Sequence, residues 1–418
     1  MRERFVSPVG GLYVHVPFCA QKCEYCAFYS TSADGALVQR YVTSLVHELT
    51  SRRAEFGVPP RTVFFGGGTP SILNLRQWEI VLKSLGDLGL HAADEWTVEC
   101  NPATVSADKA RLLREHGVNR ISMGVQSLNE DLLDRLGRVH NREMVFRSFE
   151  ILRSAGFSRI NLDLMFGIPG QTMDIWKATL GEAMALGSEH LSCYEVIYEE
   201  DTPLFVQMKA REFEVDEDLN SAMFETLVET AEDSGYRQYE VANFARDLGS
   251  SPALGAGTAI PSEACRHNVN YWRGGSYAAM GPSASGYQDG RRYQNLANTK
   301  LYCDRIERGE SAVEWEERLS PMGRAGEIAA FGLRMNAGWP WGEFLEATGM
   351  DLREGWSEEM DRLVAMGWGE RDATGFRLTR HGLRFADAAG AEFLRPDGEG
   401  PSEGGPLGRQ FKKRMVKG

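Results

Sequence analysis

YVHVPFCAQKCEYCAFY, residues 13–29, is a short apolar run followed by three cysteines: Cys19, then Cys23 after three residues, then Cys26 after two. The alternating Tyr, Val and Phe stopped by a proline read as a strand, so the cysteines fall in the loop directly after it. Three thiolates at this spacing can wrap a loop around one corner of a cubane cluster, each holding one iron. A [4Fe–4S] cluster has four irons, and the fourth is left without a protein ligand, open to a small molecule. Structural zinc is the competing reading. It wants a fourth Cys or His within a few residues, and His15 lies before the motif, on the strand.

Outward from this strand the pattern repeats. Short runs rich in Val, Ile, Phe or Tyr occur at Gly11–Phe18, Arg61–Phe65, Glu95–Glu99, Arg120–Val125, Arg159–Met165 and His190–Ile197. Helix signals fill the gaps. Ala36–Leu49 places Val38, Tyr41, Leu45 and Leu49 on one face, Ser106 caps a helix that stops at Gly117, and Asn141 caps one that stops at Gly156. Six strand–helix units make an α/β protein whose parallel sheet curls into a partial (β/α)6-type barrel, here taken as residues 1–210.

After Asp201 the rhythm breaks. In 211–318 the sequence predicts a helix over Glu212–Ser234, one strand over Tyr236–Phe244, a loop without period over 246–263, and a small-residue turn region over Ser276–Ser285. Residues 319–395 predict helices at Gly323–Met335, Gly342–Thr348 and Ser357–Met366, then a hairpin in Gly369–Thr379: an α+β, winged-helix-like module. The tail 396–418, Gly/Pro-rich and then basic, reads as disordered.

The 418 residues are 42% hydrophobic and 25% charged, an ordinary globular balance of about two or three domains. A net charge of −13 excludes a general nucleic-acid binder and makes the winged-helix-like module a poor DNA reader. No apolar run approaches the roughly 18–20 residues that span a bilayer, and Met1–Ser7 lacks the apolar stretch of a secretory signal. Seven cysteines, an odd and low count, fit a reducing cytoplasm rather than a disulfide scaffold. Cys100, Cys193 and Cys303 read as small buried residues.

Four further stretches follow the cysteines in order: FGGGTP (65–70), ECNP (99–102), SMGVQS (122–127) and NLDLMFGIP (161–169). Each closes a strand run, so all converge on the carboxyl-end face, where barrels build their sites. Gly67, Gly68 and Thr69 offer backbone and a hydroxyl to a polar head group. Glu99 can accept from an ammonium or a ribose hydroxyl, and Gln126 and Asp163 are further ribose partners. Together with 13–29, these stretches resemble the radical S-adenosylmethionine (SAM) superfamily in its coproporphyrinogen III oxidase-like branch. The resemblance implies a [4Fe–4S] cluster on Cys19, Cys23 and Cys26. It implies SAM chelating the open iron, and cleavage to a 5′-deoxyadenosyl radical. It also makes Arg138 the arginine for the SAM carboxylate and sets Tyr13 and Tyr25 beside the adenosyl group.

Within that branch the true oxidase has another Cys two residues after the third ligand, where this chain has Phe28, and a long N-terminal extension, where 18 residues precede Cys19. Decarboxylation of a tetrapyrrole is therefore the second reading. HemW-type heme chaperones instead read Cys-x-Phe-Tyr-Ser, as in Cys26–Ser30, and carry His-Asn-x-x-Tyr-Trp, as in His267–Trp272. This resemblance implies a cytoplasmic protein that binds heme and passes it to an acceptor hemoprotein, such as a membrane-bound respiratory enzyme. A neutral His267 imidazole suits an axial site, with Cys265 a competing thiolate. Tyr271 and Trp272 could cover a ring face, Asn268 completes the motif, and Arg266 and Arg273 could pair with propionates. The plain alternative is core aromatics around a satisfied buried histidine. The absence of Cys-x-x-Cys-His gives covalent heme attachment no support. A homodimer and weak contact of the basic tail with anionic lipid complete the expectations.

Overall fold

Alternation along the six runs sorts their side chains onto two faces. Leu12, Val14 and Val16 are fully buried on one side of the first strand, and Ile121, Met123, Leu162, Leu164, Leu191 and Cys193 continue that face. It packs beneath the helices and forms the main core. Tyr13, Glu99, Ser122, Asn161, Asp163, His190 and Ser192 occupy the alternate, interior positions. In the computed structural model, which describes residues 9–248, 260–288 and 290–395, the strands are β1 Gly11–Val16, β2 Thr62–Gly67, β3 Glu95–Cys100, β4 Arg120–Gln126, β5 Ile160–Phe166 and β6 His190–Glu195. They pair in parallel in chain order. The register sets Glu99 opposite Ser122, Gly124 opposite Asp163, and Asp163 opposite Ser192.

The intervening helices begin where their caps stand. Asp34 caps Gly35–Ser51, Asn74 and Gln77 form a capping box on Leu75–Asp87, Ser106 caps Ala107–Glu115, and Asn141 caps Arg142–Ser154. The expected helix over 212–234 is observed as Glu217–Asp233, because Asp216 caps it and accepts from the Leu219 amide. A separate helix, Pro203–Lys209, precedes it.

Two expectations are corrected in the middle region. The single strand over 236–244 is a tight hairpin, β7 Tyr236–Gln238 and β8 Asn243–Arg246, antiparallel to each other. The buried Glu240 carboxylate closes the turn by accepting from the Ala242 amide at 3.0 Å. The turn region over 276–285 holds β9 Tyr277–Met280, which extends the parallel set by pairing with β1. Its small residues are a packing requirement: a Cβ on Gly281 (φ +93°) would lie 2.4 Å from the His15 carbonyl oxygen. β10 Ser285–Gln288, β11 Arg291–Asn295 and β12 Val313–Arg318 follow in antiparallel pairing. The full order is β12-β11-β10-β9-β1-β2-β3-β4-β5-β6-β8-β7, an open sheet and hence a partial barrel.

In the C-terminal region, helices Pro321–Gly332, Trp341–Thr348, Leu352–Gly355 and Ser357–Ala365 precede a hairpin, Gly369–Arg371 with Gly375–Leu378, that Trp339–Pro340 extends to three strands. A second core around Trp339, Phe344, Trp356, Phe376 and Phe393 fills it. It meets the barrel through backbone bonds: Val241 N to Arg334 O at 3.1 Å, and Asn336 N to Tyr239 O at 3.0 Å. No described helix is long and apolar enough to cross a membrane. Most of the loop 246–263, at 249–259, and the tail 396–418 lie outside the described residues.

Candidate functional site

The three cysteines are free, half-buried thiols in the loop after β1. Backbone bonds fasten that loop from several sides: Gly68 N to Val16 O (2.8 Å), Thr69 N to Phe18 O (2.7 Å), Glu24 N to Leu136 O (3.0 Å) and Leu204 N to Glu24 O (3.0 Å). Gly68 is required for this approach, since a Cβ there would sit 2.7–2.9 Å from the backbone of Val16 and Phe18. The thiols have donors beside them. Thr69 Oγ1 donates to Cys19 Sγ at 3.6 Å, and Arg138 Nη1 donates to Cys23 Sγ at 3.3 Å. Burial raises the Cys26 pKa. Arg138 also donates from Nη2 to Gly124 O at 2.8 Å, while its buried Nε has no partner.

His15, the ligand the zinc reading would need, is occupied. Its Nε2 donates to the Tyr29 carbonyl at 3.0 Å, so its Nδ1 accepts the Tyr13 hydroxyl at 3.1 Å. Burial holds the ring neutral, with its pKa lowered to about 4. The donor set is thus three thiols with a cationic side chain and an orphaned donor alongside, which fits a [4Fe–4S] cluster with one open iron.

Two acids face the interior next to this loop. Glu99 Oε2 accepts from the Gly67 amide at 3.2 Å, and Gly66 leaves room for it, since a Cβ there would be 3.0 Å from the carboxylate. Burial and then the charge of Asp163 push the Glu99 pKa up to about 8. Asp163 accepts from Asn161 Nδ2 at 2.7 Å and Ser122 Oγ at 3.2 Å, and burial lifts it to about 6. Two desolvated carboxyls of this kind favour a ligand that brings an ammonium or hydroxyl donors. Gln126 ends β4 in a left-handed conformation (φ 65°) at a register shift, with Ser127 N bonded back to Val125 O at 2.8 Å. Such backbone strain in a non-glycine residue is concentrated at ligand sites. Tyr25 lies near Arg138, Cys23 and Asp163, and Tyr13 stacks on Phe64 at 6.2 Å near Glu99.

Residues 265–273 lie at the opposite, amino end of the strands. Cys265 Sγ donates to Glu95 Oε1 at 3.5 Å, and the Glu95 carboxylate also accepts the backbone amides of Arg266 and His267, each at 3.0 Å. His267, 1% exposed, has both ring nitrogens engaged, with Thr62 Oγ1 at 2.8 Å and the Tyr271 hydroxyl at 2.6 Å. Its ring stacks on Phe64 at 5.1 Å, and burial lowers its pKa to about 3. Tyr271 packs on Tyr277 at 4.2 Å. Arg334 lies over Trp272 at 5.1 Å, and Arg273 lies over Trp339 at 4.8 Å while donating to Gly338 O at 2.7 Å. Arg266 pairs with Asp94 at 3.7 Å, and Asn268 lies in the same helix. The helix Arg266–Trp272 is therefore clamped between barrel and C-terminal module, and the open porphyrin face expected there is not formed in this arrangement. Two donors at its end, Trp272 Nε1 and Nη2 of the capping Arg273, are buried without a partner.

Sequence reasoning missed Asn161, His190, Ser192 and Tyr239, whose side chains join the two ends. The signal was present as polar residues at alternate positions of INLDLMF and HLSCYE.

The radical SAM superfamily model matches residues 13–183, and that of the HemN C-terminal domain matches residues 319–385. The chain is 33% identical over 392 residues to the heme chaperone HemW of Bacillus subtilis (strain 168), covering 91% of this chain and 98% of that one. It is 32% identical over 387 residues to the heme chaperone HemW of Lactococcus lactis subsp. lactis (strain IL1403), covering 92% and 97%. Among solved structures, coproporphyrinogen III oxidase (HemN) from Escherichia coli, a radical SAM enzyme, superposes with a TM-score of 0.78 at 22% identity over 93% of this chain and 90% of that one. That likeness carries the fold. With about a third of its residues identical over more than nine-tenths of its length to heme chaperones HemW, the chain belongs to the HemW heme chaperone family of the radical SAM superfamily.

Proposed function

We propose that this chain is a cytoplasmic heme chaperone: it binds heme and passes it to an acceptor hemoprotein. The observation that carries this reading is the likeness to heme chaperones over more than nine-tenths of the chain. Cys19, Cys23 and Cys26 would hold the [4Fe–4S] cluster, which when bound and reduced would supply an electron to a sulfonium. Arg138 compensates thiolate charge and faces the SAM carboxylate. Glu99 receives the ammonium, Gln126 and Asp163 receive ribose hydroxyls, Gly67, Gly68 and Thr69 shape the wall, and Tyr13 and Tyr25 flank the adenosyl group.

Heme binds at the 265–273 motif once its helix lifts from the barrel end. His267 would then be free to ligate iron, with Cys265 the competing ligand, Tyr271 and Trp272 would cover the ring, and the unpartnered donors of Trp272 and Arg273 would serve propionates. Arg266 and Asn268 flank that surface.

Heme titration of the anaerobically reconstituted chain, with and without SAM, tests the reading. A Soret band that weakens in His267→Ala and a heme that moves to an apo-hemoprotein support it. Heme binding no tighter than to an unrelated protein of similar surface overturns it, as does robust formation of 5′-deoxyadenosine with vinyl products from coproporphyrinogen III. Homodimerisation and tail contact with anionic lipid belong to the same proposal. Sedimentation checks the first, and flotation of full-length and tail-less chains on anionic liposomes checks the second.

A further inference from the structure

The interior of the barrel joins its two ends through hydrogen bonds whose directions follow from the chemistry of their atoms. Asn161 Nδ2 lies 2.7 Å from Asp163 Oδ1 and 2.8 Å from Ser122 Oγ, because an amide NH2 must face the carboxylate. Its oxygen therefore faces the other way, with His190 Nδ1 at 2.7 Å and Ser192 Oγ at 3.2 Å. An amide oxygen only accepts, so His190 Nδ1 carries the ring proton. Burial, with the Arg120 guanidinium nearby, holds that imidazole neutral. Its Nε2 is then bare and accepts the Tyr239 hydroxyl at 2.9 Å. The phenol oxygen accepts the backbone N–H of Cys265 at 3.2 Å.

Cys265 is the residue from which the helix Arg266–Trp272 starts. Every donor along this path points toward Asp163, and Asn161, His190, Tyr239 and Cys265 are all nearly fully buried. A buried chain of one polarity cannot exchange members for water, and its bonds strengthen or weaken together.

We infer that Asp163 and the helix Arg266–Trp272 are the two ends of one relay, in which His190 and Tyr239 are positioning residues and a ligand donating to Asp163 loosens the hold on the helix. This rests on the functional reading above, which puts SAM at one end and heme at the other. Asp163 already accepts from Asn161 and Ser122 as a carboxylate, so added hydroxyl donors compete with Asn161 for its lone pairs. Asn161 is then less polarised, and the bonds through His190 and Tyr239 to the Cys265 amide weaken with it. A helix held less firmly lifts more often, so SAM and heme favour one another. By linkage the effect is equal in both directions.

The experiment uses the full chain with its cluster reconstituted anaerobically. Calorimetry reports SAM binding, hydrogen exchange reports the amides of 265–272, and titration reports heme affinity. In the wild type, SAM is expected to speed exchange across 265–272 and to strengthen heme binding by about fivefold. In Tyr239→Phe, which removes one oxygen and keeps the ring, SAM binds but neither response appears. His190→Leu cuts the same path at a second point and must behave alike, so failure of either variant to fold leaves the other to decide. A wild type whose exchange ignores calorimetrically bound SAM overturns the inference, as does either variant responding like the wild type. Absence of SAM binding to the wild type overturns the functional reading as well, a result calorimetry separates from the others.

Discussion

Glu99 keeps its proton at a pH where an exposed glutamate has lost it. Its folded pKa of about 8 against an ordinary 4.5 means the folded chain binds the extra proton between those values. Stability from this group is complete below 4.5 and lost as pH rises through 8. Without SAM, this group alone pulls the melting temperature down between about pH 5 and 8, and in a series of thermal melts Glu99→Gln is expected to lessen the loss of stability above pH 7. Asp163, raised to about 6, adds a slope of the same sign at lower pH. At the other end, His267→Ala leaves Thr62 and Tyr271 without their imidazole in a closed space. A loss of about 2–4 kcal/mol in denaturant titration is expected. The cysteines, Glu99, Gln126 and Asp163 could be nominated from the sequence because they sit in short motifs at or just after strand ends, and Arg138 through the family resemblance. The partner of His267 was not, because Thr62 lies 205 residues away in sequence and no local pattern records that contact. His190 and Asn161 were signalled as polar residues at alternate strand positions, but their pairing, 29 residues apart, was not.

Elements were legible where local chemistry decides them. Asp34, Asn74, Ser106 and Asn141 each cap a helix, and the alternation of the first six runs set their strands. β9 was not, because Ala278 and Ala279 carry no strand preference and only the place beside β1 makes them extended. Glycines separate the two situations by experiment. Gly68→Ala sets a Cβ against the backbone under the cysteine loop, so reconstituted protein is expected to hold less iron while its far-UV circular dichroism is unchanged. Gly181, inside the helix Met173–Leu186, has nothing within 4 Å of an added Cβ. Gly181→Ala is expected to raise stability by about 0.5–1 kcal/mol in chemical denaturation, with iron content unaffected.

Over the whole molecule, buried histidines and buried acids pull stability in opposite directions with pH. Burial lowers His15 and His140 to about 4, His267 to about 3, and His190 well below its ordinary value. Each contributes fully above an ordinary 6.5 and is lost as pH falls toward its folded value, at up to about 1.4 kcal/mol per pH unit. Against the rise of Glu99, denaturant melts from pH 4 to 9 are expected to peak at about pH 6–7, with the acid limb steeper. The clamped position of helix Arg266–Trp272 also orders events in time. Its first amides rest on Glu95, 171 and 172 residues earlier, while Arg334 and Trp339 close over it from later in the chain. During synthesis the barrel emerges first, with its amino end unsealed, and the helix cannot be gripped on both sides until the C-terminal module has left the ribosome. A nascent chain therefore passes through an interval in which residues 265–273 are exposed, and truncation before residue 319 would make that interval permanent.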